Sequence, residues 1–525
     1  MSMANRTDTR ENDKVYAGLP YLYRSQGLPS EVYEVRMKKE VEQEILDPAV
    51  ADTLERYPYF SVRFREEKGD FYAVKNEDPL ETFHTQELIP LGGKRNHYHM
   101  MGVSFWGNLL RISFHHGLTD GRGAKSFLET LVTYYAEYDQ RKMQDGNLSA
   151  AALEEIRQRH LTKAAELSDE EYIDPCEKKH EMVGTSGKVE GLAGKGFKLP
   201  ESVHKSGHRR YELRFGQKEF MTVCKKYGAS PIVLLSMMMS RGIQKLYPEN
   251  DRPIISNFPM DARKILGCEK TFKNCVKSMS LPYGEKEQKM SAEELAAHYK
   301  NLLNQQKDHD YCAKEFNNIV MLLSVIGHVH SFKARQKLLG FMENLALDTY
   351  LISYVGQFDV PEAYVDEIHL YSNCSDGLVL NMTCQNGDFI IDLTQDFESA
   401  AYVEALRKEF AVEEITVKIS DEILFETPYD ELAEIITPEA EVTEQIKGWL
   451  ENFVAAAKAS TQAAKEREAA SLAFSEGVQA KYAAPAAVAM YYDPVSGTMK
   501  TFDPTKNSTE QLENLVRSTP AIFAS

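Results

Sequence analysis

Positive charge is what this 525-residue chain has too little of. Lys and Arg number 61 against 79 Asp and Glu, a formal net charge of −18. A field of that sign repels phosphate backbones and anionic lipid surfaces, so no nucleic-acid or anionic-membrane partner is expected. Anionic small molecules can still bind at local basic patches. Long apolar runs are missing too. The nearest, "PIVLLSMMM" and "IVMLLSVIG", fall short of the roughly 20 residues a bilayer-spanning helix needs and read as core helix, so membrane insertion is not expected. The opening residues "MSMANRTDTRENDK" are polar and lack a secretory apolar stretch. The seven cysteines (Cys176, Cys224, Cys268, Cys275, Cys312, Cys374 and Cys384) form no CxxC pair and are odd in number. A reduced, cytoplasmic protein is the simpler expectation. HExxH and GxSxG are absent, as is the full phosphate-loop spacing, which argues against metalloprotease, serine-hydrolase and nucleotide-loop chemistry. His97 and His99 could share a strand face, but no further ligand pattern accompanies them, so no metal is expected.

Apolar residues make up 43% and charged residues 27% of the chain, ordinary for a globular protein. The length allows three domains, or two large lobes and an extension. Val32–Lys38 alternates as a strand. "LDPAVADTLERYPYF" then reads as a helix capped by Asp47 with Pro48 at its first position. A hairpin turning at Lys68-Gly69-Asp70 comes next, then one or two strands within Met101–Phe114. Ala124–Tyr138 is a helix whose buried stripe is Phe127, Leu128, Leu131 and Tyr135. Glycine-rich "GTSGKVEGLAGKGF" reads as a linker. Beyond it, strand "RRYELRF", the helix Gln217–Tyr227 stopped by Gly228, and a helix capped by Ser230 with Pro231 open a second α/β half. That half closes through a hairpin turning at Asn386-Gly387 and a helix over Glu398–Phe410. Strands alternating with helices in both halves give the expected class, two α/β lobes. Past about residue 415 the chain turns acidic, then alanine-rich, and is expected to be a helical extension with a short hairpin at "YYDPVSGTMKTFDP" and a tail.

The stretch that carries chemistry is "ISFHHGLTDGRG", Ile112–Gly123. Neighbouring strand residues face opposite ways, so only one of His115 and His116 can line a channel while the other packs behind it. An imidazole titrates near neutrality and can take a proton from an alcohol or amine. Asp120 can cap the adjoining helix, or brace the loop by pairing with a distant arginine. Gly117 and Gly121 permit a tight strand-to-helix turn.

His115-His116-Gly117-Leu118-Thr119-Asp120-Gly121 resembles the HHxxxDG motif of the condensation-domain and CoA-dependent acyltransferase superfamily. Within it, the chain looks closest to stand-alone bacterial alcohol acetyltransferase-like proteins. "TLERYPYFSVRF", "PIISNFPMDARKIL" and "ISYVGQFD" resemble, in order, that superfamily's helix-then-strand entry, its second-lobe segment with an arginine, and its strand ending in a glycine beside the channel. The similarity spans roughly residues 15–415. It implies two chloramphenicol acetyltransferase-like lobes, each a mixed sheet with flanking helices, with an active-site channel between them: 1–180 the N-terminal lobe, 181–203 a flexible linker, 204–415 the C-terminal lobe, and 416–525 a mainly helical extension.

By the same resemblance, His116 is the general base and His115 its packed neighbour. Asp120 is structural, with Arg263 as its salt-bridge partner, and Gly121 is the turn residue. Ser353 and Gly356 are channel and oxyanion candidates. The implied reaction is direct acyl transfer from a CoA thioester to a small-molecule alcohol or amine, with acyl-CoA as co-substrate and no bound cofactor. Two alternatives stand beside it: a condensation-type enzyme taking its acyl group from an acyl carrier protein, and a catalytically silent binding protein of the same fold. The DFGWG motif of the plant branch is absent. His208-Arg209-Arg210 and Lys333–Lys337 are candidate CoA-phosphate clusters, though a solvated surface is the preferred reading of both.

Overall fold

The computed structural model describes residues 13–23, 30–163, 167–184, 196–329, 331–337, 349–372, 377–425, 490–493 and 498–501. In the first half the strands are β1 (Asp13–Lys14), β2 (Ser30–Met37), β3 (Val62–Glu67), β4 (Asp70–Lys75), β5 (Thr82–His84), β6 (Met101–Trp106) and β7 (Leu109–His115). Its helices are α1 (Gln43–Arg56), α2 (Gly121–Asp145) and α3 (Ala150–Lys163). The second half adds β8 (His208–Gly216), α4 (Gln217–Tyr227), α5 (Pro231–Leu246), β9 (Ile254–Asp261), α6 (Arg263–Leu266), β10 (Val276–Tyr283), α7 (Glu285–Gln288), α8 (Ala292–Gln306) and α9 (His309–Ile326). Then come β11 (Tyr350–Gln357), β12 (Val365–Ser372), β13 (Leu378–Gln385), β14 (Asp388–Gln395), α10 (Ala401–Val412), β15 (Val417–Ile419) and β16 (Ile423–Phe425). A separate hairpin, β17 (Met490–Asp493) with β18 (Thr498–Thr501), lies where "YYDPVSGTMKTFDP" predicts one.

Two sheets carry the fold. The smaller runs β12-β2-β7-β6-β5, with β7 in its middle. The larger runs β10-β9-β11-β13-β14-β8-β15, and β16 also pairs with β8. In the larger sheet β11 is parallel to both of its neighbours, β9 and β13. A third small sheet, β1-β4-β3, flanks the first. This is the expected mixed α/β, two-lobed architecture.

Local chemistry explains most elements. Asp120 caps α2 by accepting the Gly123 N–H at 2.8 Å, and Gly146 closes that helix in the left-handed conformation. Phe127, Leu128, Leu131 and Tyr135 are all buried, the stripe the periodicity predicts. Gly228 ends α4 in the same left-handed way. Both predicted hairpin turns take positive φ at their two central residues, 53° and 86° at Lys68-Gly69 and 51° and 83° at Asn386-Gly387.

Several expectations need correction. Helix α1 starts at Gln43, so Pro48 lies inside it; Asp47 accepts the Thr82 hydroxyl instead of capping. Ser230 precedes Pro231 as expected, but its side chain makes no capping hydrogen bond. The chain does not divide cleanly at residue 203. Strand β12 pairs antiparallel with β2 in the first sheet, and α9 buries Phe316, Ile319, Leu322 and Ile326 in the first lobe's core. Residues 185–195 of the expected linker lie outside the described residues. Its C-terminal end is docked, with Leu199 buried in the second core and the Phe197 N–H on the Pro253 carbonyl at 2.8 Å. The expected helical extension begins instead as two strands, because β15 and β16 add to the open edge of β8. The alanine-rich stretch lies outside the described residues.

Candidate active site

The first sheet delivers the two histidines. His115 is the last residue of β7, directly opposite Ser30 of β2, and is fully buried. Its Nδ1 accepts the Gly117 N–H at 2.8 Å, so in the neutral ring the proton sits on Nε2. Phe64 meets it edge-on, ring centroids 6.0 Å apart. His115 therefore fixes the turn. His116, one residue on, faces the other way, into a cavity of about 300 Å³ between the two sheets.

That cavity draws its wall from both lobes. The first supplies His116, Asp120, Gly121, Arg122 and Glu31, and the second contributes Pro259, Asp261, Ser353, Val355 and Asn381. His116 is only 5% exposed as a residue, and it forms part of the cavity wall. One face of the ring is covered by Tyr21, stacked at 4.0 Å with planes 4° apart.

Asp120 turns away from solvent and organises the loop. Its Oδ1 takes the Gly123 N–H and the Arg263 Nη2 at 2.8 Å each, and its Oδ2 takes the Cys275 N–H at 2.9 Å. Arg263 is buried and spends its other donors on the carbonyls of Thr271 and Lys273, 2.8 Å each, and on Asp261 at 3.0 Å. Burial opposes the guanidinium charge, yet the field of Asp120 outweighs it and holds its pKa above the ordinary value. The structure thus brings Asp120 and Arg263 together across the two halves of the chain.

The segment 271–275 finishes the cradle. The Phe272 carbonyl accepts the Thr119 hydroxyl at 2.5 Å, and Asn274 donates to the His116 carbonyl at 2.6 Å. Neither Gly117 nor Gly121 adopts positive φ. Gly121 is the first residue of α2, not a left-handed turn, and a Cβ there would sit 3.2 Å from the Tyr33 hydroxyl. At Gly117 a Cβ would come within 2.8 Å of His115 Nδ1. Close approach, not backbone freedom, is what these glycines provide.

Ser353 lines the cavity, and Gly356 does not. Gly356 instead takes φ +78° where the β11–β13 register shifts between Tyr354 and Gln357. Lys125 of α2 holds this bulge, donating to the carbonyls of Val355 at 3.3 Å and Gln357 at 2.5 Å. Sequence reasoning missed Lys125, Tyr21 and Asn274. The signal for Lys125 was a lysine beside apolar Ala124 and Phe127 at the start of a helix; burial pushes its pKa down.

The two basic clusters belong elsewhere. Arg209 and Arg210 are buried, not solvated. Arg210 pairs with Glu34 at 3.2 Å and Asp392 at 3.0 Å. Within Lys333–Lys337, Arg335 is fully buried and bonds Tyr23 at 2.8 Å and Asp70 at 2.6 Å. His97 and His99 lie in a turn, not on a strand, and the His99 Nε2 bonds the Asp78 carbonyl at 2.9 Å. Among the described residues, Glu212, His369 and Asp392 are spaced for metal ligation. Arg36, at 2.5 Å from Glu212, and Arg210 already neutralise that group, which makes it part of an ion-pair network.

No protein-family model matches this chain, and no curated protein matches it in sequence. Solved structures do match in fold. The trichothecene 15-O-acetyltransferase TRI3 of Fusarium sporotrichioides superposes with a TM-score of 0.52 at 11% identity, covering 77% of this chain and 94% of that one. TRI101 of F. sporotrichioides, crystallised with coenzyme A and T-2, gives a TM-score of 0.51 at 9% identity over 78% and 99%. At such identities the likeness is one of fold. No helix among the described residues is long and apolar enough to cross a membrane.

Proposed function

We propose that this chain is an acyltransferase that moves an acyl group from a CoA thioester to an alcohol or amine by direct attack, with His116 as general base. The observation that carries this reading is the His116 imidazole at the wall of a cavity built jointly by both lobes. The fold neighbours support it, since one is named an acetyltransferase and another was crystallised with coenzyme A.

The steps follow from proton placement. Nδ1 of His116 is buried, so Nε2 takes the proton of the acceptor O–H or N–H as that atom attacks the thioester carbonyl. The carbonyl π pair moves to oxygen, and the oxyanion is met by hydrogen-bond donors on the cavity wall; Ser353 and Asn381 line that wall and carry such donors. Collapse breaks the C–S bond, and the leaving thiolate recovers the proton from the imidazolium. No covalent enzyme intermediate is formed. A cavity of about 300 Å³ is at the small end of ligand sites, which favours a short acyl group and a compact acceptor.

The test is thiol release from acetyl-CoA with a panel of primary alcohols and amines. His116→Ala is expected to fold normally and to lose roughly 10²–10⁴ in turnover, the usual share of a general base. Unchanged turnover in a folded His116→Ala protein removes the assignment.

A further inference from the structure

The cavity accounts for one side of His116; Tyr21 occupies another. The torsion that sets an imidazole plane is broad and two-fold, so the covalent chain does not aim the ring. Something packed against it must. Tyr21 lies parallel to His116 within 4°, at 4.0 Å, and is itself buried. It is not among the residues lining the cavity.

We propose that Tyr21 is the positioning residue of His116: its ring face sets the imidazole plane so that Nε2 points into the cavity, and the segment carrying it is built to hold that stack. The proposal rests on the general-base reading above.

The segment's anchoring supports a positioning role over general packing. Tyr21 sits in a 3-10 turn, Leu19–Tyr23, whose five residues are all buried. Just before it, Gly18 lies against the histidine loop so closely that a Cβ would fall 1.9 Å from the Gly117 carbonyl oxygen. The N–H groups of Tyr16 and Ala17 both reach the Asp174 carboxylate at 3.1 Å. Asp13 pairs with Lys273 at 2.7 Å, next to Asn274, which bonds the His116 carbonyl. The turn that carries Tyr21 and the loop that carries His116 therefore share one frame. A ring held in that frame leaves the imidazole stacked on it little rotation.

The experiment compares Tyr21→Leu and Tyr21→Phe in the full chain. The Hε1 proton resonance of His116 is assigned by its absence in His116→Gln. Leucine removes the ring face; phenylalanine keeps it. In Tyr21→Leu, kcat for thiol release from acetyl-CoA is expected to fall by about ten- to a hundredfold, the cost of a mis-aimed group, with KM within about twofold. Tyr21→Phe should restore most of that loss. The His116 resonance should be displaced by ring current in the wild type and in Tyr21→Phe, and relax in Tyr21→Leu. This second readout needs no substrate. An unmoved resonance in Tyr21→Leu, an unchanged kcat, a rise confined to KM, or a Tyr21→Phe protein as impaired as Tyr21→Leu would each overturn the proposal. Should Tyr21→Leu not fold, a folded Tyr21→Phe protein with lowered kcat or a relaxed His116 resonance still overturns the proposal. Failure of the general-base reading shows separately, as turnover retained in His116→Ala while the His116 resonance of the otherwise unchanged protein still relaxes in Tyr21→Leu.

Discussion

Adjacent histidines in this chain do opposite jobs because a strand turns neighbours to opposite faces. His115 goes inward and fastens the Gly117 turn, and His116 goes toward the cavity. Asp120 shows the same economy, since one carboxylate caps α2, takes the Cys275 N–H and neutralises Arg263. Its removal leaves a buried guanidinium with two loop carbonyls and, as counter-charge, the exposed Asp261. Asp120→Ala is therefore expected to cost about 3–5 kcal/mol, the range for breaking a buried pair from one side. Replacing both partners, Asp120→Leu with Arg263→Met, should recover much of that loss, because the uncompensated charge goes with its partner. Urea unfolding followed by circular dichroism measures both. A loss below about 1 kcal/mol in the single variant would show that Asp261 and the loop carbonyls suffice alone.

Among the elements, legibility tracked local chemistry. The α2 cap, the buried stripe behind it, the glycine stop of α4 and both left-handed hairpin turns could be read directly, because each depends on residues within a few positions. The Asp120–Arg263 contact joins residues 143 apart and was reached only through the resemblance. What resisted reading was decided at a distance. Pro48 sits inside α1 because core contacts at Ile45 and Leu46 extend the helix N-terminal to it. The strands β15 and β16 form because β8 offers an open edge. Arg335 reads as one charge in a basic run, yet Tyr23 and Asp70 draw it fully inside. The β11 bulge is of this kind: Gly356 permits the geometry and Lys125, from another lobe, holds it. Gly356→Ala should cost about 1–2 kcal/mol, since φ +78° is left-handed space. Lys125→Met leaves two strand carbonyls without their donor. It should accelerate amide exchange over Tyr354–Gln357 while leaving β13 and β14 protected. Equal acceleration across all three strands would mean that Lys125 supports the whole sheet.

The two lobes are joined as a whole by exchange of β12 and by an ion network beneath it. Glu34 and Arg36 of β2, Arg111 of β7, and Glu367 and His369 of β12 come from the first sheet. Arg210, Glu212 and Arg214 of β8, with Asp388 and Asp392 of β14, come from the second. Glu34 meets Arg111 at 2.7 Å and Arg210 at 3.2 Å, Arg36 meets Glu367 at 2.7 Å, and His369 meets Asp392 at 3.0 Å and Glu367 at 3.3 Å. With His369 protonated, the carboxylates and cations of this group balance. Burial works against the His369 charge, but Asp392 and Glu367 outweigh it and push its pKa up to about 9. The hydrogen bond from His369, aided by Arg36 and Arg214, draws Glu367 down to about 2. The signs follow from linkage. His369 is raised above its unfolded value of 6.5, so its stabilisation is complete below that pH and is lost as pH climbs through about 9. Glu367 is depressed from 4.5, so its share is present above that pH and disappears as pH falls through about 2. Stability should therefore be level between about pH 4.5 and 6.5 and decline on the alkaline side by on the order of 3 kcal/mol at most from His369. His369→Gln removes that alkaline decline along with part of the plateau, because a neutral amide has no proton to lose. Unfolding midpoints measured from about pH 6 to 10 on both proteins separate the cases. Converging curves at high pH place the titration at His369; parallel curves place it elsewhere, and the network would then be held by its arginines alone.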